Sequence, residues 1–179
     1  FTRATDALEP EDMGELLNEY FSCMNAIIQK YEGTLANITG DALFVFFGAP
    51  DRTDDRDHAL RCVRMAMEMQ QKMQALQKKW FSEGIEYPLQ IRCGISTGMA
   101  TVGSFGSGQR SEYSAMGMQV NLASRLETAC EPGGILISHS TWALIKDKVD
   151  CRSKETIEAK GFSRPVRAYE INLGTASGR

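Results

Sequence analysis

The sequence is poor in residues suited to zinc or disulfide chemistry. Its five cysteines are odd in number and far apart, and no C-x-x-C pair occurs, so neither a zinc site nor a disulfide framework is indicated. Only two histidines are present, His58 and His139, too few for a histidine metal cluster. Any bound metal is therefore expected to be a hard cation with oxygen ligands, such as magnesium. Free thiols fit a reducing, cytosolic setting.

Long apolar runs and an excess of positive charge are also missing. No run approaches the roughly 18 apolar residues that cross a bilayer. The net charge of −3 argues against nucleic-acid binding by bulk positive charge. We expect a cytoplasmic domain, with any membrane attachment carried by segments outside this sequence. The 179 residues, 42% of them hydrophobic and 24% charged, have the size and composition of one globular domain.

Apolar spacing predicts two long amphipathic helices in the first half of the chain. They are expected over about residues 9–33 and 53–80, and the methionines of the second helix are interpreted as core filler. Between the helices, residues 34–38 and 43–47 are predicted to form a β-hairpin with Gly40-Asp41 at its tip.

The second half of the chain predicts shorter elements. Helices are expected at residues 120–130 and 140–146, and strands at 89–97, 99–102, 135–137, 156–159 and 166–171. The last two strands are expected to pair around Lys160-Gly161, and the first of these helices to bury Val120, Ala123 and Leu126. The glycine-rich segment 103–108 lacks the G-K-[ST] ending of a phosphate-binding loop, so a flexible hairpin turn is favoured. The order of elements predicts an α/β (α+β) sandwich, with a mainly antiparallel sheet covered by helices.

Four side chains outside the predicted core are candidates for chemistry. Asp41 at a hairpin tip can point its oxygens at a hard cation, although a plain turn aspartate is the favoured interpretation of that dipeptide alone. Asn121 and Arg125 share one face of a predicted helix and suit phosphate oxygens, yet a solvated helix face is the ordinary alternative. Lys160 before Gly161 can reach a phosphate as a point charge, or be a surface lysine.

Several separated motifs make these candidates more specific when they are taken together. In chain order they are "LNEYF", "EGTLANITGDALFVFFGAP", "DHALRCVRMAMEMQ", "IRCGISTGMATVGSFGSGQRSEYSAMGMQVNLASRLE", "PGGILIS" and "KGFSRPVRAYEI". This set resembles the catalytic domain of class III nucleotide cyclases, particularly bacterial adenylyl cyclases, over nearly the whole chain.

The resemblance implies a ferredoxin-like homodimer with composite active sites that cyclises a nucleoside triphosphate and releases pyrophosphate. Two aspartates of one subunit would hold two Mg²⁺ or Mn²⁺ ions, and Asp41 matches the second of them. Asn121 and Arg125 match the family's N-x-x-x-R pair on the other subunit, which orients the ribose and stabilises charge on the α-phosphate. Lys160 is similar to the lysine that contacts the terminal phosphates.

The first metal-binding aspartate of the family belongs to a pattern like F-x-D-I-x-G-F-T in the opening strand. Phe1-Thr2 looks like the end of that pattern, so this aspartate is expected upstream of Phe1. Residues 1–179 are accordingly interpreted as one cyclase catalytic domain without its first strand.

Two positions bear on the choice of base. Family adenylyl cyclases usually carry lysine at the position of Asn37 and aspartate or threonine at that of Ser114. Ser114 can accept from the adenine amino group, whereas the amide of Asn37 suits either base. ATP is the expected substrate, with GTP as the alternative.

Two other classes of function are alternatives to a nucleotide cyclase. A catalytically inactive cyclase-like module for regulation or dimerisation is the rival from a different class. RNA binding is disfavoured because no strand carries the aromatic signature that base stacking needs.

Overall fold

Two long helices, α1 (Pro10–Lys30) and α2 (Asp55–Ser82), pack against each other and confirm the first two predicted elements. The computed structural model describes residues 8–86 and 89–174. Helix α1 begins with Pro10, whose fixed φ and missing N–H suit a first turn. Helix α2 is capped by Asp54, whose carboxylate accepts a hydrogen bond of 2.8 Å from the Asp57 N–H. Within the two described stretches, neither these helices nor any other is long and apolar enough to span a bilayer.

The facing sides of α1 and α2 form one hydrophobic core cluster. Its most buried members include Met24, Met73 and Trp80, each at most 1% exposed, so the methionines are core filler as predicted. The buried amide of Gln70 donates to the carbonyl oxygens of Ile91 at 3.1 Å and Gly134 at 2.9 Å. These two bonds attach α2 to the loops beside the sheet and leave no unpaired donor on that amide.

The predicted hairpin between the helices is present. Strand β1 (Thr34–Thr39) pairs antiparallel with β2 (Ala42–Phe46). Gly40 adopts φ +62° at the tip, a conformation that glycine reaches without the steric cost of a Cβ. The register shifts between Leu35 and Asn37, which indicates a bulge in β1.

A second hairpin occupies the segment that was interpreted as a flexible turn. Strand β4 (Thr101–Ser107) pairs antiparallel with β5 (Arg110–Met116), and the chain reverses at Gly108, where φ is +61°. The turn interpretation of residues 103–107 was therefore wrong, and β5 was not predicted. Its residues have little intrinsic strand propensity, but cross-strand backbone pairing along the full length of β4 holds them extended.

Four further strands form a separate sheet. Its order is β3 (Cys93–Ile95), β6 (Ile135–Ser138), β8 (Ala168–Ile171) and β7 (Cys151–Ser153). Strands β3 and β6 are parallel and the other pairs antiparallel, so the mainly antiparallel sandwich is confirmed. Strand β3 is shorter than predicted. Pairing between residues 156–159 and 166–171 was wrong except for one bridge, Ile157 to Val166, because β8 pairs with β6 and β7 instead.

Helices α3 (Met118–Ala129) and α4 (His139–Ile145) complete the fold, as predicted. Helix α3 lies against β3 and β6 and buries Leu122 and Leu126, which are 3% and 0% exposed. The predicted buried face included Val120 and Ala123, which are only half-buried, and omitted Leu122.

Gly94 of β3 sets how closely α3 approaches the sheet. A Cβ at this position would lie 2.2 Å from the backbone oxygen of Ala123 and 2.2 Å from the backbone nitrogen of Glu127. Both atoms belong to the helix backbone, which cannot rotate away as a flexible side chain can. Only glycine therefore allows this contact between strand and helix.

We expect Gly94→Ala to lower the free energy of unfolding by about 3 kcal/mol or more, since overpacking against backbone must displace α3. Urea denaturation measures the change. The control is Gly14→Ala on the exposed side of α1, where nothing lies within 4 Å of the added methyl group. That variant should gain about 0.5–1 kcal/mol from the better helix propensity of alanine. Equal stability of the two variants would contradict the close approach at Gly94.

Candidate active site

Asp41 follows Gly40 at the tip of the first hairpin and is exposed. The Tyr20 hydroxyl of α1 donates to the backbone carbonyl oxygen of Asp41 at 3.2 Å, which holds the tip against the helix. Burial raises the pKa of Tyr20, and the charge of Asp41 adds to the increase, so the phenol stays a neutral donor. No hydrogen bond or ion pair joins the Asp41 carboxylate to another described residue, which leaves its oxygens open to a cation.

Asp41 by itself is an incomplete metal site. Across residues 8–86 and 89–174, no group of three or more His, Cys, Asp or Glu side chains is arranged to hold a metal ion. Magnesium is commonly held by one or two carboxylates together with substrate phosphates and water. Asp41 fits such an ion only when phosphates or a further carboxylate complete the ligand set. The predicted pattern at Phe1-Thr2 lies outside the described residues.

Asn37 and Ser114 lie on strands that contact each other. Asn37 is exposed just after the bulge in β1, and Ser114 is half-buried on β5, opposite Gly103. Tyr113 packs on Phe46 with ring centroids 5.8 Å apart, which joins the two hairpins. Neither the Asn37 amide nor the Ser114 hydroxyl is hydrogen-bonded to another described side chain, so both polar groups are available to a ligand.

Asn121 and Arg125 occupy successive turns on the exposed side of α3. Both residues are exposed, whereas Leu122 and Leu126 are buried and pack the helix into a hydrophobic cluster. No described carboxylate forms an ion pair with the Arg125 guanidinium, so its donors are free for an anion.

Lys160 lies on a tight turn that rests against α3. The Phe162 N–H donates to the Ala159 carbonyl oxygen at 3.0 Å, and Gly161 has φ +95°, the combination typical of a type II turn. Ala159 and Phe162 belong to the same hydrophobic cluster as Leu122 and Leu126. This packing brings the exposed Lys160 towards the helix that carries Arg125.

Arg125 and Lys160 line one open cavity of about 500 Å³. The other lining residues come from the same turn and the segment after it: Glu158, Ala159, Phe162, Ser163, Arg164 and Pro165. The cavity thus brings three cationic side chains together with one carboxylate, which favours a polyanion. Asn37, Asp41, Ser114 and Asn121 do not line it.

Sequence reasoning missed Glu158 and Arg164 as members of this cavity. Arg164, four positions after Lys160, is visible in "KGFSRPVR". Whether its side chain faces the cavity depends on the conformation of the Lys160 turn. Arg164 falls in the connection between the two strands that were predicted there, and such a connection does not fix where a side chain lies.

Three of the five cysteines are poorly suited to act as nucleophiles. All five are free, and burial raises the pKa of the Cys62 and Cys93 thiols to about 12. Burial likewise raises the pKa of Cys130 to about 11. These thiols remain protonated near neutral pH and are unreactive.

Comparison with known proteins identifies the fold and the family. Residues 1–172 match the family model described as the adenylate and guanylate cyclase catalytic domain. The chain is 34% identical to adenylate cyclase 1 of Rhizobium meliloti over 173 residues, which is 96% of this chain and 26% of that protein. The chain thus spans about a quarter of the length of this curated relative.

Two solved structures extend the similarity to three dimensions. The adenylyl cyclase CyaB from P. aeruginosa is 45% identical, with a TM-score of 0.94 over 98% of this chain and 89% of that one. The guanylyl cyclase Cya2 is 35% identical, with a TM-score of 0.88 over 96% of this chain and 85% of that one. The chain therefore belongs to the adenylate and guanylate cyclase catalytic domain family, the class III nucleotide cyclases.

Proposed function

We propose that residues 1–179 are the catalytic domain of an adenylyl cyclase, which converts ATP to 3′,5′-cyclic AMP and pyrophosphate. The observation that carries this proposal is the cavity shared by Arg125 and Lys160, two cations from distant parts of the sequence. A triphosphate carries the negative charge that such a cavity attracts. We further propose a cytoplasmic location, where ATP is abundant and free thiols stay reduced.

The roles of the side chains follow from their chemistry. The guanidinium of Arg125 presents fixed N–H donors that can stabilise the charge developing on the α-phosphate during cyclisation. Asn121, one turn earlier on α3, is suited to hydrogen-bond the ribose and orient its 3′-hydroxyl. Lys160 contributes a point charge to the terminal phosphates.

Asp41 would hold a Mg²⁺ or Mn²⁺ ion together with the phosphates and a further carboxylate. Two such ions supply activation of the 3′-hydroxyl and neutralise the leaving pyrophosphate. The hydrogen bond from Tyr20 to the Asp41 backbone keeps the hairpin tip in place for this purpose.

A homodimer completes this site. Asp41 does not line the cavity of Arg125 and Lys160, so we propose that the two sets of residues meet across a subunit interface. Three exposed methionines, Met99, Met116 and Met118, lie where β4 and β5 meet α3, and Met99 is 91% exposed. Exposed apolar groups at one place favour association, and a second copy of this chain is the proposed partner.

Base selection rests on Asn37 and Ser114, whose strands contact each other. The Ser114 hydroxyl can accept from the 6-amino group of adenine, which favours ATP. The Asn37 amide can donate to adenine N1 or accept from guanine N1–H, so GTP is the alternative substrate.

An inactive regulatory or dimerisation module is the second candidate. Asn37, at the position where family adenylyl cyclases usually carry lysine, favours it. The convergence of Arg125 and Lys160 on one cavity favours catalysis, because cations that meet at one place attract a polyphosphate.

The proposed function predicts that the full-length protein makes cyclic AMP from ATP with Mg²⁺ or Mn²⁺. Comparison of kcat/KM for ATP and GTP should favour ATP, by a smaller margin than in an enzyme with lysine at position 37. Asn37→Lys should increase the preference, since an ammonium group donates to adenine N1 but repels the guanine N1–H. A clear preference for GTP would refute adenylyl cyclase activity, and the absence of both products would favour the inactive module.

Arg125→Ala should lower kcat by about 100-fold or more, because the charge that it stabilises develops mainly in the transition state. The KM for ATP should change little by comparison. Steady-state kinetics separates the two effects, with Arg92→Ala as the control, since Arg92 is paired with Glu127 and does not line the cavity. Near-normal turnover of Arg125→Ala would remove this residue from the mechanism.

A mixing experiment tests the composite site. Asp41→Asn and Arg125→Ala should each be nearly inactive alone. An equal mixture should recover roughly a quarter of wild-type activity, because half of the dimers would carry one intact site out of two. Failure of the mixture to recover activity, with subunit exchange verified by labelled protein, would place Asp41 and Arg125 of one subunit in the same site.

A further inference from the structure

The segment after the Lys160 turn presents a second basic side chain to the same cavity. Arg164 lines it with Lys160 and Arg125, and its neighbours Ser163 and Pro165 line it as well. We propose that Arg164 binds the β- and γ-phosphates of the substrate, and the pyrophosphate product, together with Lys160. This proposal rests on the proposed cyclase function and adds a substrate-binding residue to it.

Local backbone constraints fix where Arg164 lies. The residue before a proline is restricted to extended conformations, and Pro165 follows directly. One residue further on, Val166 is held by two backbone hydrogen bonds to Ile157, of 2.9 and 2.8 Å. Arg164 therefore lies just before a segment that is hydrogen-bonded back to Ile157, on the far side of the loop from the Lys160 turn.

The Arg164 guanidinium is not used for structure. It is exposed, and no hydrogen bond or ion pair joins it to another described residue. By contrast, Arg152 on neighbouring β7 is paired with Glu170, and Arg92 with Glu127. An arginine that lines a cavity without a protein partner keeps its full fork of donors for a ligand.

The charges of the cavity select a polyanion. Arg125, Lys160 and Arg164 are positive, and Glu158 is the one acid among the described lining residues. No ion pair joins Glu158 to any of the three cations, so an excess positive charge remains. Planar guanidinium groups bind phosphate oxygens bidentately, and a volume of about 500 Å³ accommodates a pyrophosphate.

The terminal phosphates are the part of the nucleotide that Arg164 should meet. Arg164 belongs to the same closed loop as Lys160, whose proposed partners are those phosphates. Asn37 and Ser114, the proposed base-reading residues, do not line the cavity. Loss of Arg164 should therefore weaken binding of both triphosphate and pyrophosphate, while the chemical step near the α-phosphate is preserved.

The test measures binding of inorganic pyrophosphate to the full-length protein by titration calorimetry, together with kcat and KM for ATP. Arg164→Gln should weaken pyrophosphate binding and raise KM by about tenfold or more, since a charge-assisted contact is lost. The value of kcat should stay within about twofold of wild type. Inhibition by cyclic AMP, which lacks the terminal phosphates, should not change.

Two further variants separate a charge effect from a structural one. Arg167→Gln is the matched control, because Arg167 is exposed three residues later and does not line the cavity. It should bind pyrophosphate like wild type. Glu158→Gln should shift pyrophosphate affinity in the opposite direction, since it removes the one opposing charge. A merely structural role of the loop would not produce opposite shifts.

The outcomes distinguish this proposal from the proposed function. Equal pyrophosphate affinity and KM in Arg164→Gln, Arg167→Gln and an active wild type would overturn the role of Arg164 and leave the cyclase function intact. Arg164-dependent pyrophosphate binding by a protein without cyclase activity would instead refute the cyclase function and support a polyphosphate site at Arg164. Arg164→Lys, which keeps the charge, should retain part of the affinity.

Discussion

The contact between strand β3 and helix α3 at Gly94 is the constraint on which the site depends. Backbone atoms of α3 lie where a Cβ at position 94 would be, so α3 packs directly on the backbone of β3. Leu122 and Leu126 then pack into the cluster that also holds Ala159 and Phe162. The exposed side of α3 and the turn of Lys160 consequently face the same space, although about 35 residues of chain separate Arg125 from Lys160.

The charged side chains of this cavity lie above a hydrophobic cluster that positions their backbone. They form no ion pairs with other described residues, so their positions are held through the backbone and the core beneath them. Binding a polyanion there costs no existing ion pair, which favours affinity for phosphates. Asp41 at the tip of the β1–β2 hairpin is likewise held through its backbone. The Tyr20 hydroxyl donates to its carbonyl oxygen and leaves the carboxylate open.

Much of this fold was predictable because local patterns dominate the first half of the chain. Helices α1 and α2 follow from apolar periodicity, and the first hairpin follows from two apolar runs around Gly40-Asp41. The predictions failed where strand formation depends on backbone pairing and not on an apolar pattern. Strand β5 was missed because its mostly polar residues are held extended by pairing with β4. Residues 166–171 were paired with the wrong strand, since β8 pairs with both β6 and β7.

By itself, the sequence determined the family, the two long helices, the hairpin of Asp41 and the residue types available for chemistry. Those features depend on periodicity and on motifs that are local in the chain. Only the tertiary structure decided that Arg125 and Lys160 share a cavity, that Arg164 and Glu158 join them, and that Asp41 does not. The physical reason is that side-chain convergence depends on long-range packing, which neighbouring residues in the sequence do not encode. Here α3 packs on Gly94, and Phe162 packs on the cluster that contains Leu126.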